Sequence, residues 1–343
     1  MNLLKQILII LIVFFKTGNV LSENNLFNVN NILLNKKDNL SNNELANRAI
    51  KKAFEQLSKR ILLKKDIQKI SELNYLNIRE LVNYYNISKK SDNDNVIFNV
   101  TFDKDKIHKL FYNREILYSD IVNKEFYVLP ILIKQNEIYI FSNNYFYKNW
   151  NELNNNDLLE FILPLENIEA IQSINKSRNN LLDLSLESIF NEYADKNIAL
   201  VLIEEDELSK DKIYLKSKIQ GKFISKYLDI KKNIKDNSYK NTVISLIKEE
   251  IINLVKSENL IDIRAPSFIN LKLDLNKKNN LIFFKSKIKK IDLIDEVFIL
   301  EFNKDYVNIR IKYFGKLERM INQLKTNNIV LQLVNDKWLI KNL

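Results

Sequence analysis

The chain has no cysteine, one histidine (His108), three glycines and three prolines in 343 residues. Without cysteine there is no disulfide, no thiol nucleophile and no thiolate-bound metal. One histidine cannot supply the multi-histidine ligand set of the common zinc sites. Nothing beside His108 in sequence is a clear partner for it. It reads as a surface or half-buried helix residue rather than a base or ligand. Gly18, Gly221 and Gly315 are too few and too scattered for a glycine-rich phosphate loop or the strained elbow of a serine hydrolase. No cofactor and no metal is implied. Turns fall to Asn, Asp, Ser and Lys, of which Asn and Asp tolerate left-handed backbone and Ser caps locally. Carboxylates are plentiful, so composition leaves room for a glycosidase-like pair, but no spacing singles one out. An exported carboxylate-based hydrolase therefore stands as the alternative to a protein without catalysis. Glu204-Glu205-Asp206-Glu207 reads as a solvated acidic turn.

What is present is ample apolar residue, 46% of the chain. That is enough for a substantial core and two domains. Residues 1–22 read as a signal peptide: Lys5 supplies the basic start and Ile7–Phe15 an apolar run of leader length. The run is shorter than the roughly 20 residues of a spanning helix. Cleavage is expected between Ser22 and Glu23, giving a periplasmic product with no stable membrane span. An uncleaved leader tethering the protein to the inner membrane is the alternative. Net charge is +10, and +8 once Lys5 and Lys16 leave with the leader. Lysines interleave with acids along the chain and form no long basic block. This reads as a solvated surface rather than a nucleic-acid site, with contact to an acidic envelope surface as the other reading.

The pattern predicts an α+β protein: a mixed sheet with flanking helices, followed by a C-terminal ferredoxin-like (βαββαβ) domain. Residues 23–40 are polar, Asn-rich and expected to be flexible. Ser41 with Glu44 forms a capping box before an apolar helix face of Ala46, Ala49, Ile50, Ala53, Leu57 and Ile61. Shorter helices are expected at 64–73 and 77–85, and a polar loop at 86–95. Val96, Phe98, Val100 and Phe102 alternate as a half-buried strand, with Asp103 placed to cap the next helix. Phe126–Ile133 is an apolar run of strand length, in which Pro130 predicts a bulge or an edge. A turn at 134–137 and a return strand at 138–141 follow. Strands are further expected at 160–165 and 198–203, and a helix at 180–193. A meander over 213–230 turning at Gly221 and a helix at 239–258 complete an α+β domain of residues 41–262. Ala265-Pro266 marks a boundary, and 266–343 reads βαββαβ with an added last strand.

Several of these segments together resemble the uncharacterised bacterial DUF2066 family in its alphaproteobacterial form. The residues that carry the likeness are Asn47-Arg48-Ala49 in the first helix, Phe102-Asp103, Val128-Leu129-Pro130, Asn144 to Trp150, and Tyr193-Ala194-Asp195 before Ile198–Ile203. It spans roughly residues 40–205 with a weaker echo at the C-terminus, and this chain departs from the family in having few glycines and arginines. The family has no assigned activity, so the resemblance implies an exported protein and no reaction. The aromatic group Tyr145, Phe146, Tyr147 and Trp150 is the candidate partner-binding site. The alternative is that Phe146 and Trp150 plug the sheet edge. The functional expectation is a non-enzymatic periplasmic module that binds an envelope macromolecule or supports assembly.

Overall fold

The computed structural model describes residues 26–35, 41–89, 95–121, 124–152, 158–205, 210–231, 238–275, 280–335 and 337–342. The expected leader and its Ser22–Glu23 cleavage site lie outside them. The strands are β1 (Asn28–Asn35), β2 (Val82–Lys89), β3 (Asn95–Phe102), β4 (Tyr118–Ser119), β5 (Lys124–Lys134), β6 (Glu137–Tyr139), β7 (Leu159–Ile162) and β8 (Ile198–Glu205). They continue with β9 (Lys210–Ile219), β10 (Lys222–Lys231), β11 (Leu260–Ile261), β12 (Ser267–Asp274), β13 (Ile294–Phe302), β14 (Tyr306–Tyr313), β15 (Val330–Val334) and β16 (Lys337–Asn342). The helices are α1 (Asn42–Ile61), α2 (Lys64–Ile67), α3 (Tyr75–Glu80), α4 (Lys104–Asn113), α5 (Tyr145–Asn149), α6 (Ile168–Lys176), α7 (Leu186–Ile189), α8 (Tyr239–Ser257), α9 (Asn280–Ile288) and α10 (Leu317–Thr326). The protein is α+β, with mixed sheets and flanking helices.

The described residues divide into two compact units, one within 26–118 and 261–342 and one within 119–260. The division at 260/261 lies beside the Ala265-Pro266 boundary. The grouping differs from a single domain over 41–262, because residues 41–118 belong to one compact unit with the C-terminal part. Contacts, unlike composition, are non-local, and no composition shift marks Tyr118.

In the first unit β1, β3 and β2 form an antiparallel sheet in that order. Ser41 caps α1: its hydroxyl accepts from Glu44 N, and the Glu44 carboxylate accepts from Ser41 N at 2.8 Å. Residues 28–35, expected to be flexible, instead form β1. Its partner β3 buries Val96, Phe98, Val100 and Phe102 and so needs an edge on each side. The expected helix at 77–85 stops at Glu80. Ile78, Leu81 and Val82 fit a helical spacing, but the ladder with β3 takes residues from Val82 onward.

The C-terminal sheet has the order β13-β14-β12-β16-β15. Read as βαββαβ, this is the ferredoxin-like order with the added strand β16 inserted between the first and fourth strands. β16 runs parallel to β12 and antiparallel to β15. Ile269, Leu271 and Leu273 of β12 and Val307, Ile309 and Ile311 of β14 share a core with Phe284, Ile288, Met320 and Leu324 of α9 and α10.

The second unit is a sheet ordered β10-β9-β8-β5-β6, with β7 also on β5. β5 lies parallel to β8 through a crossover, and its alternate residues bury on opposite faces. Phe126 and Val128 pack with Val243, Ile247 and Ile251 of α8. Leu129 and Ile131 pack with Ile174, Leu186 and Phe190. Gln135-Asn136 and Gln220-Gly221 close two-residue hairpins with all four residues at positive φ, the turn that matches strand twist. The expected continuous helix at 180–193 is broken into the single turn α7 between short 3₁₀ segments.

Candidate interaction surface

The aromatic group is not an exposed patch. Trp150 has no exposed surface and Phe146 is buried against β5 and α8. The indole meets Phe161 edge-on at 6.2 Å, and the Lys248 ammonium lies 5.7 Å from its ring while donating to the Trp150 carbonyl. Burial pulls the Lys248 pKa down. The two tyrosines are half-buried and tethered. Tyr145 donates to Asn241 Oδ1 at 2.9 Å and Tyr147 to the Pro164 carbonyl at 2.9 Å. Of the expected partner-binding group Tyr145, Phe146, Tyr147 and Trp150, the structure buries Phe146 and Trp150 as a plug and leaves the two tyrosines half-buried. Four large rings following a sheet edge bury more apolar area as a plug than they would expose as a patch.

The single histidine is likewise interior. His108 on α4 sits between Phe27 and Phe314, each edge-on near 5.5 Å, with Nε2 3.1 Å from the Tyr118 hydroxyl. It is 8% exposed, more buried than a surface or half-buried helix position. Burial, and then the Lys104 charge, push its pKa down to about 4, so it is neutral at physiological pH. Asp103, the acid that follows β3, is the N-cap of α4: its Oδ1 accepts from Asp105 N and Lys106 N.

The acids of the expected acidic turn are divided. Glu204 pairs with Lys212 at 3.9 Å and Glu205 with Lys134 at 3.4 Å, while Asp206 and Glu207 lie outside the described residues. Close by in the same unit, burial and Asp211 hold the Tyr239 hydroxyl pKa well above its usual value. Among the described residues no three or more acidic or histidine side chains gather where they could hold a metal ion.

Among the described residues, β13 carries the longest unbroken run of exposed apolar side chains. It is the outer strand of its sheet, paired with β14 on one side and with no other strand among the described residues. Val297, Phe298, Ile299, Leu300 and Phe302 are all exposed, from 38% at Val297 to 63% at Phe302. Natural edges are shortened, broken by proline or a bulge, or guarded by charge, and β13 has bulges and acids at both ends of its apolar run but none within it. β13 is nine residues long and contains neither lysine nor proline. The contrast with β10, the outer strand of the other unit, is direct, because β10 carries Lys222, Lys226 and Lys231. Register shifts at Asp295 and Leu300 bracket a regular stretch from Glu296 to Ile299.

The start of β13 is held in place. Lys104 Nζ donates to the Ile294 carbonyl at 2.9 Å. Burial lowers the Lys104 pKa, opposed by Asp292 and Asp295. Asp295 meets Lys312 at 2.7 Å, and this hydrogen bond raises the Lys312 pKa. Glu301 accepts from Tyr306 Oη at 2.8 Å and Asn308 Nδ2 at 2.7 Å. The sequence marks Glu296–Phe302 only as a strand of the βαββαβ pattern, within which Val297–Leu300 is an unbroken apolar run. Only its place as the second strand of a ferredoxin-like order, which is an outer position, turns that run into an exposed edge.

No known protein family matches the chain, and no curated protein matches it. A solved structure of a protein described only as uncharacterized aligns at 12% identity over 40% of this chain and 91% of its own length. The TM-score is 0.18, too low to support any conclusion about fold or function. No described helix is long and apolar enough to cross a membrane.

Proposed function

We propose that this chain is a non-enzymatic exported protein, periplasmic after loss of residues 1–22, that binds another macromolecule or supports envelope assembly. The surface it uses is the outer edge of β13. The observation that carries this reading is the run of five exposed apolar side chains on a strand whose outer backbone groups face no other described strand. Such an edge is a template for an added strand, with backbone bonds supplying affinity and side chains specificity. The DUF2066 resemblance belongs to the same proposal and is consistent with it, since that family has no assigned reaction.

The test is capture from envelope extract with wild type and with Phe298→Asp/Leu300→Asp, followed by mass spectrometry. Wild type is expected to recover partners that the double variant loses. Equal recovery by both refutes the surface. N-terminal sequencing of the exported product is expected to start at Glu23. A retained Met1 would instead support the tethered form.

A further inference from the structure

We infer that the segment recognised by β13 is an extended polypeptide bearing lysine or arginine between apolar residues. This rests on the proposed strand addition at β13 and names the chemistry of the incoming strand. The chain carries +10 overall, yet residues 292–305 hold Asp292, Asp295, Glu296, Glu301 and Asp305 against the single base Lys304. The apolar edge is therefore framed by acids on an otherwise basic protein.

Within that frame the acids are positioned rather than loose. Asp295 is fixed by Lys312, and Glu301 by Tyr306 and Asn308. Glu296 lies 4.0 Å from Lys312 with its side chain 55% exposed, at one end of the regular stretch. A strand laid along Glu296–Ile299 would place its own alternate residues beside Glu296 and Phe298 on one face and beside Val297 and Ile299 on the other. Opposite charges across such a pair stabilise and like charges destabilise. The same rule disfavours a second copy pairing through its own β13, because antiparallel self-pairing sets Asp295 and Glu296 near Glu301. A basic, apolar strand satisfies both faces.

The experiment titrates the full chain, by NMR line shape or fluorescence anisotropy, with a blocked peptide of alternating lysine and valine matched to β13 in length. Two control peptides replace lysine by glutamate, or carry N-methyl groups on every second residue of the pairing edge. The lysine peptide is expected to bind saturably in the sub-millimolar range. The N-methylated peptide should bind at least about tenfold more weakly, since its edge donors are gone. The glutamate peptide should not saturate. Glu296→Gln/Glu301→Gln should weaken the lysine peptide by about two- to tenfold, an effect that fades with salt.

Equal binding of the N-methylated peptide would overturn the inference, since contact would then be charge without an added strand. Equal binding of lysine and glutamate peptides would overturn it too, while leaving strand addition intact. Absence of saturable binding also overturns it. If envelope capture still depends on Phe298 and Leu300, the proposed function survives that failure. If it does not, both fall.

Discussion

Asn144 Nδ2 donates to the Pro130 carbonyl at 2.9 Å while Asn144 Oδ1 accepts from Phe146 N at 2.9 Å. Pro130 lies in β5 between the stretch paired with β7, residues 124–127, and the stretch paired with β6, residues 132–134. On its other side the ladder to β8 runs through Pro130 opposite Val201 without a register shift. The proline thus sits in a gap on one edge and makes no bulge. A buried side-chain amide fills the gap and starts α5.

Asn144→Ala leaves the Pro130 carbonyl and Phe146 N without this partner, in a site with no exposed surface. The expected loss is about 2 kcal/mol in urea unfolding. Asn144→Asp should cost more near neutral pH, because a buried carboxylate would face a carbonyl acceptor, and should recover partly on acidification. An unchanged midpoint for both variants would contradict this account.

Trp150→Ala empties the centre of the core between β5, β7 and α8. The expected destabilisation is about 3–5 kcal/mol. Hydrogen exchange should quicken over β5 and α8 specifically. A variant that keeps its stability while losing a binding partner would restore Trp150 to an exposed role.

His108 gives a pH dependence. Burial holds its folded pKa at about 4, below the ordinary imidazole value of 6.5. The unfolded chain therefore binds the extra proton between those values, and stability is full above pH 6.5 and lost as pH falls toward 4. The loss is about 3 kcal/mol at most from this group. His108→Phe keeps a ring between Phe27 and Phe314 and cannot be protonated. Urea midpoints at pH 7 and pH 4.5 should fall less for His108→Phe than for wild type. An equal fall would assign the acid sensitivity to carboxylates alone.

Leu300→Lys adds a charge to the β13 edge where its side chain is half exposed. Its effect on stability should stay within about 0.5 kcal/mol. Light scattering on heating should drop, because a lysine guards the edge. Unchanged scattering would show that the β13 edge does not nucleate heat-induced aggregation.

Local features were legible because their physics is local. Ser41 with Glu44, and Asp103 with the next two amides, are decided within one helical turn. The alternation of Val96 to Phe102 fixed a strand face by period alone. β1 was not legible: its Asn-rich sequence has Asn31 at φ 60° and a shifted register between Val29 and Ile32. β3 supplies the pairing that holds it. The sequence marks Trp150 as part of a partner-binding group with a buried plug as the alternative, since ring content states how much area a loop carries and not which side of it meets the sheet.

By itself, then, the sequence determined the α+β class, the helix caps, most strand faces and a side-chain inventory without thiols or a histidine cluster. Tertiary structure alone decided that residues 26–118 join 261–342, that β16 enters the sheet interior, and that Val297–Phe302 is left at the rim. Side-chain period is set by neighbours in the chain, whereas an unpaired edge is set by strand order, which depends on contacts tens of residues apart.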